Sequence, residues 1–293
     1  MSTLSIALNA AKSGSFRSQA ATHPGTAGRH NEDAYLNRPD LGLWAVADGA
    51  GGHQSGEVAS AEVVGRLDDI VLGLSAADML QEVRARLETA HERLRASAAE
   101  RGASAIMATT AVVVVVRDDH FACLWAGDSP AYLMRGNSLT KITHDHSLVQ
   151  DLVDGGIISE EEAATHPQAN IITRAVGADA EGLNLDKRTG QLMLGDRLLL
   201  CSDGLSKTLS NEQLGELLSS GDGSAERLVN AALEAQSADN VTAIIIDFDG
   251  EDSATAQARQ SAAMPASAGV SAEASADEHS GTAHDDGTTV GAH

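Results

Sequence analysis

Four apolar runs in this chain each end in, or lead away from, an aspartate beside a glycine or asparagine: WAVADGAGGH at Asp48, CLWAGDS at Asp128, LLLCSDGLS at Asp203 and SADNVTAIIIDF at Asp239. Short runs this apolar are the pattern of strands buried on both faces. A carboxylate at the end of such a strand is fixed in direction and half desolvated. One of them would be a turn. Four of them, with almost no cysteine or histidine nearby, point to a single cage of oxygen ligands for hard divalent cations.

The rest of the composition narrows the setting. The 293 residues are 42% hydrophobic but only 2% aromatic, so Val, Leu, Ile and Ala must fill the core. A net charge of -22 and a pI near 4.7 argue against nucleic acid or an anionic membrane as a partner. Residues 249–293 hold eight acids and one arginine, a net of about -7. From 251 this tail is rich in Ala, Ser, Gly and Thr and has too little apolar surface to offset ordering entropy, so it is expected to be disordered. Residues 1–19 are weakly patterned, with the first strand expected to begin somewhere in this stretch, and the folded domain is placed at 20–250. Cys123 and Cys201 lie inside apolar runs and read as buried small hydrophobes rather than a disulfide. No stretch approaches a membrane span, and the N-terminus lacks a basic start before an apolar stretch; a cytoplasmic monomer is expected.

Strands are expected over 34–36, 43–47, 110–117, 121–125, 131–135, 197–202 and 241–248, several joined by tight turns such as Asp118-Asp119 and Gly136-Asn137. Two helices fall between the second and third strands, one carrying Val58, Val63, Leu67, Val71 and Leu74, the other Leu80, Val83, Leu87, Ala90 and Leu94. Capping boxes announce later helices at Ser159 with Glu162 and Ser210 with Gln213. Blocks of strands followed by blocks of helices imply an α+β class, a layered β-sandwich of mainly antiparallel sheets flanked by helices, α-β-β-α.

Oxygen ligands at several strand ends suit Mg²⁺ or Mn²⁺ rather than zinc. The chain has no Gly-x-Ser-x-Gly elbow, no Walker loop and no cysteine nucleophile with a phosphate-cradling loop. Hydrolysis by metal-activated water is the reaction class that remains.

In order, the segments RHNEDA, VADGAGGHQSGEVAS, WAGDS, ITRAVG, LLLCSDGLS and ADNVTAIII resemble those of the metal-dependent type 2C (PPM) protein serine/threonine phosphatases, over about residues 20–248. The segment from LTKITHDHS to ITRAVGA is similar to bacterial members that accompany type VI secretion systems. The resemblance implies a dinuclear Mn²⁺ or Mg²⁺ site between two sheets and hydrolysis of phosphoserine and phosphothreonine in proteins, reversing a cognate Ser/Thr kinase. Asp48 would bridge the two ions, the Gly49 carbonyl would bind one of them, and Asp203 and Asp239 would complete the ligand set of the second ion. Glu32 and Asp33 would hold water around the ions, and Asp128 with Asp203 would form a weaker third site. Arg29 would clamp the substrate phosphate, Asn240 would steady Asp239 on the substrate-binding side, and His53 would stand near the leaving group.

The chain departs from the family pattern at three places. Arg29 lies four residues before Asp33 where many relatives have five, and Arg17 is the next basic residue upstream. Ala50 replaces the histidine that follows the Asp-Gly pair in animal members. Pro130 replaces the arginine after Gly-Asp-Ser, where a structural effect at a strand start is expected. Residues 144–175 would form a flap beside the site, in which the stripe Leu148, Val149, Leu152 and Val153 is expected to pack and His166 to be satisfied locally. Two rival functions are a phosphoprotein-binding module that has lost catalysis and a phosphatase of an anti-sigma-factor switch. Intact aspartates argue against the first, and the complete flap and lack of a sensor domain against the second.

Overall fold

Continuous apolar runs become intelligible once both faces of a strand are covered. The computed structural model describes residues 16–28, 30–51, 55–102, 105–180, 182–220 and 223–249; the expected tail from 251 and residues 1–15 lie outside them. Strands β1 (Phe16–His23), β2 (Asp33–Arg38) and β3 (Leu43–Ala50) lead into helices α1 (Ser55–Asp68) and α2 (Ala76–Arg101). Next come β4 (Ala108–Thr109), β5 (Ala111–Arg117), β6 (His120–Ala126), β7 (Ala131–Arg135) and β8 (Ser138–Lys141). The short helices α3 (Leu148–Asp154) and α4 (Glu160–Ala164) precede β9 (Asp186–Gln191) and β10 (Arg197–Cys201). The chain closes with α5 (Asp203–Ser206), α6 (Asn211–Ser219), α7 (Ala225–Glu234) and β11 (Val241–Phe248).

The strands form two antiparallel sheets, one ordered β1-β11-β10-β7-β8 and the other β2-β3-β5-β6-β9, with β4 paired to β3. In β5 the side chains alternate: Val112, Val114 and Val116 face the other sheet, while Val113 and Val115 face α1 and α2. In β11, Ile244 and Ile246 enter the layer between the sheets, while Ala243 and Ile245 pack under α6 and α7. The expected α-β-β-α sandwich is therefore observed. Both cysteines are buried and unpaired. The capping boxes at Ser159 and Ser210 form as read, and Asp118 takes φ 52° in the two-residue turn from β5 to β6.

Two expectations change, and one is sharpened. The first strand starts at Phe16, inside the weakly patterned segment where its start was expected. Its inward residues are mostly small, and its buried Ser18 is satisfied by donating to Asn37 Oδ1 at 2.6 Å, so no apolar alternation marks it. It pairs with β11 along its whole length, from Phe16↔Phe248 to His23↔Val241. Helix α1 ends at Asp68, so Val71 and Leu74 lie beyond it and Val71 is exposed; Ala59, Val63, Leu67 and Ile70 fill the contact instead. The α3 stripe is only half-buried, and no residue of α3 is fully buried.

Trp44 is fully buried between the sheets, edge-on to Phe16 at 5.7 Å, and its Nε1–H donates to Asn37 Oδ1 at 3.0 Å. Trp44→Ala is expected to lower the unfolding free energy by about 3–5 kcal/mol. Leu194→Ala, at a site 76% exposed, is expected to change it by less than about 0.5 kcal/mol. Urea unfolding of both variants checks the contrast.

Candidate metal centre

The β2–β3 register sets Asp33 directly opposite Asp48, so two carboxylates stand at the same end of one sheet. The backbone holds Asp48 on both sides: its N–H donates to Thr110 Oγ1 at 3.0 Å, and its carbonyl accepts from Thr110 N–H at 2.8 Å and Thr109 Oγ1 at 2.9 Å. Gly49 follows because nothing larger fits. A Cβ there would lie 2.1 Å from the Gly56 carbonyl oxygen and 2.7 Å from that of Glu32. The start of α1, Glu32 and the Asp48-Gly49 pair are thereby pressed together.

The other sheet supplies the remaining aspartates. Asp203 opens α5 just after β10, and Gly204 lets α5 approach β11 so closely that a Cβ would meet the Asn240 carbonyl at 2.0 Å. Asp239 is exposed at the entry to β11, its Oδ1 accepting from Asn240 N–H at 2.9 Å. The sheets are tied at this end by hydroxyls: Ser202 and Thr242 both donate to Asp33 Oδ2, at 2.7 and 2.6 Å. Asp128 ends the turn after β6. That turn is held by His146, whose Nδ1 accepts from Gly127 N–H at 3.2 Å and whose N–H donates to the Gly127 carbonyl at 3.0 Å. Pro130 sits one residue before β7, where its carbonyl accepts from Cys201 N–H at 3.1 Å.

Electrostatics follow from this crowding. Burial, then the charges of Asp33, Asp203 and Asp128, push the Asp48 carboxyl well above the usual carboxylate range, and its side chain lies within hydrogen-bond reach of Asp203. Asp33 is pushed up to about 7, first by burial and then by Asp203 and Asp239, despite the two hydroxyls that favour its charge. Asp128 is raised to about 6 by burial and Asp203, with Lys207 opposing. Lys207 Nζ donates to Asp203 Oδ2 at 2.6 Å, Asp128 Oδ2 at 3.0 Å and Asn170 Oδ1 at 3.1 Å. Burial would lower its pKa, but the two carboxylates outweigh that and raise it.

The structure thus brings Glu32, Asp33, Asp48, Gly49, Asp128, Asp203 and Asp239 to one end of the sandwich. Arg29 and His53 lie outside the described residues. Arg17, the other basic residue upstream, sits at the far end of β1 in an exposed ion pair with Asp249 at 2.6 Å. Asn240 donates its backbone N–H to Asp239, while its side chain turns to the segment carrying Glu32. Its Oδ1 accepts from Glu32 N–H at 2.7 Å, and its Nδ2 donates to the carbonyls of Pro24 and His30, each at 3.1 Å. Its amide is spent on the segment carrying Glu32 and is not free for substrate. Lys207 bridges Asp128 and Asp203, the pair expected to form a third-ion site. Lys207, Thr110, Ser202 and Thr242 were not anticipated; only the four-residue spacing from Asp203 to Lys207 could have signalled the lysine. His166 is satisfied locally, its Nδ1 accepting from Gln168 N–H at 3.2 Å.

The donor set fits Mn²⁺ or Mg²⁺ at Asp48, Asp203 and Asp239. It is all oxygen, and Asp33 Oδ1, like Asp128 Oδ1, is buried with no hydrogen-bond partner. Among the described residues no three carboxylate, imidazole or thiol side chains are already gathered around one point. Carboxylates that repel one another close in fully only around a cation, and Lys207 draws Asp203 toward Asp128.

Comparison with known proteins gives a consistent result. The protein phosphatase 2C family profile matches residues 22–243. Over 234 residues the chain is 36% identical to the serine/threonine protein phosphatase PstP of Mycobacterium tuberculosis, covering 79% of this chain and 45% of that protein, so it spans under half of that relative. The structure of PppA, described as a key regulatory component of the type VI secretion system in Pseudomonas aeruginosa, superimposes with a TM-score of 0.73 at 39% identity, covering 80% of this chain and 98% of that one. The catalytic domain of PstP in complex with two manganese ions superimposes with a TM-score of 0.70 at 34% identity, covering 80% of this chain and 98% of that one. With the profile spanning most of the sandwich and these relatives aligned along it, the chain belongs to the protein phosphatase 2C family.

Proposed function

We propose that this protein hydrolyses phosphoserine and phosphothreonine in proteins, with Mn²⁺ or Mg²⁺ bound at the carboxylate cluster. The observation that carries this reading is the meeting of Asp48 and Asp203, one from each sheet, with Asp33 beside them. Asp48, the Gly49 carbonyl, Asp203 and Asp239 would hold the ions, and Glu32 and Asp33 would orient water around them. When bound, such ions acidify water and offset the charge of the phosphoryl group.

The chain's own residues do the rest. Asp33 is held by Ser202 and Thr242, with a carboxyl raised to about 7, and can take a proton from water near neutral pH. The water oxygen bonds to phosphorus as the P–O bond to the serine or threonine breaks. Arg29 clamps two phosphate oxygens, and the departing alkoxide takes its proton from water or from His53. Asn240 keeps the Glu32 segment against β11.

The catalytic domain is assigned to residues 16–249. Pairing of β1 with β11 and the Arg17–Asp249 ion pair at its far end support that boundary. The likeness to PppA supports a role in regulating type VI secretion. The relatives named as Ser/Thr phosphatases support phosphoprotein substrates and an opposing Ser/Thr kinase. No helix among the described residues is long and apolar enough to cross a membrane; the proposed reading takes the protein as a monomer acting in the cytoplasm.

Asp48→Asn and Asp203→Asn are each expected to reduce Mn²⁺-dependent hydrolysis of a phosphothreonine peptide by more than about 100-fold, beyond the loss typical of residues that only orient ligands, with the melting curve retained. Undiminished turnover in both variants contradicts the reading, and tight phosphopeptide binding without turnover in the wild type would make the protein a binding module.

A second expectation concerns pH. Asp33 and Asp128 have raised pKa values in the folded protein, so the stability they contribute is complete below about pH 4 and is lost as pH rises through about 6 to 7. Cations bind the deprotonated forms and gain affinity over the same range. The difference in Tm between protein in Mn²⁺ and protein in chelator is therefore expected to widen from about pH 5 to about pH 8. An unchanged difference in scanning fluorimetry contradicts the coupling.

A further inference from the structure

Asp128 and Asp203 are a pair of carboxylates that already has a counter-ion. The Asp128 side chain is only 3% exposed and that of Asp203 15%. Two such charges held together without a cation would be strongly destabilising. The Lys207 ammonium has three N–H donors and no acceptor, and it meets three acceptors: Asp203 Oδ2, Asp128 Oδ2 and Asn170 Oδ1. Its donors are fully used. Its position is also built into the backbone. Lys207 lies four residues after Asp203, at the C-terminal end of α5, where its own N–H donates to the Asp203 carbonyl at 2.7 Å. Asp128 comes from the turn after β6, 79 residues earlier in the chain. Asn170 belongs to the flap segment, so the same ammonium ties that segment to the centre.

The geometry points to Lys207 as the resident cation of the Asp128–Asp203 pair, standing where family resemblance places a third metal ion, so that the loaded protein takes up two divalent ions and not three. A divalent ion ligated by both carboxylates would have to displace the ammonium from Asp128 and Asp203 and then sit near a like charge anchored four residues after Asp203. The residues at this position therefore do not fit a third ion. The inference rests on the proposed reading of Asp48, Asp203 and Asp239 as metal ligands.

Calorimetric titration of Mn²⁺ into the chelator-stripped full chain tests it through stoichiometry, independent of turnover. The wild type and Lys207→Arg are expected to bind two ions. Lys207→Ala and Lys207→Gln are expected to gain a third, weaker site, with circular dichroism melts confirming that at least one of them is folded. Three ions in the wild type, or two in a folded variant without the charge, would overturn the inference while leaving the proposed function standing. No binding by the wild type would overturn both.

Discussion

Repulsion among buried carboxylates is the constraint around which this sandwich is arranged. At an effective dielectric near 20, two unit charges about 4 Å apart interact by about 4 kcal/mol, and here Asp48 feels Asp33, Asp128 and Asp203, while Asp33 and Asp128 each feel Asp203. Such a group stays together only if something stiffer holds it. The β2–β3 register fixes Asp33 against Asp48. The Ser202 and Thr242 hydroxyls pin Asp33 to the opposite sheet, and the layer built on Trp44, Val114, Leu200 and Ile244 keeps the sheets from separating. The core thus stores unfavourable electrostatics at one end of the molecule, ready to be relieved by cations.

The relief is divided. On one side Lys207 supplies a fixed single charge to Asp128 and Asp203. On the other, Asp33 and Asp48 have no basic partner among the described residues and carry raised pKa values, which is the condition under which a divalent ion gains most from binding. The asymmetry itself belongs to this chain's own DGLSK segment.

What could be read from the sequence was whatever the apolar pattern controls. Strands such as Ala111–Arg117 and Val241–Phe248 were legible because both of their faces are buried, and each aspartate at a strand end was legible because the run before or after it is so apolar. The strand Phe16–His23 was not, because its inward side chains are small or polar and its burial comes from pairing with β11. The end of α1 was misjudged because Val71 and Leu74 continue the helical spacing after the helix has stopped. Lys207 is the instructive omission. Its role depends on a carboxylate 79 residues away, and no local pattern distinguishes it from a solvated lysine. The amide of Asn240 is similarly a tertiary fact, spent on the backbone of Pro24, His30 and Glu32.

The central claim is that the end of the sandwich holding Asp48, Asp203 and Asp239 exists to bind cations. Anomalous diffraction from crystals of the full chain grown with Mn²⁺ tests it most directly. The expected map has two manganese peaks among Asp48, the Gly49 carbonyl, Asp203 and Asp239, with the Lys207 ammonium still between Asp128 and Asp203. A map with no manganese at Asp48 would contradict the account.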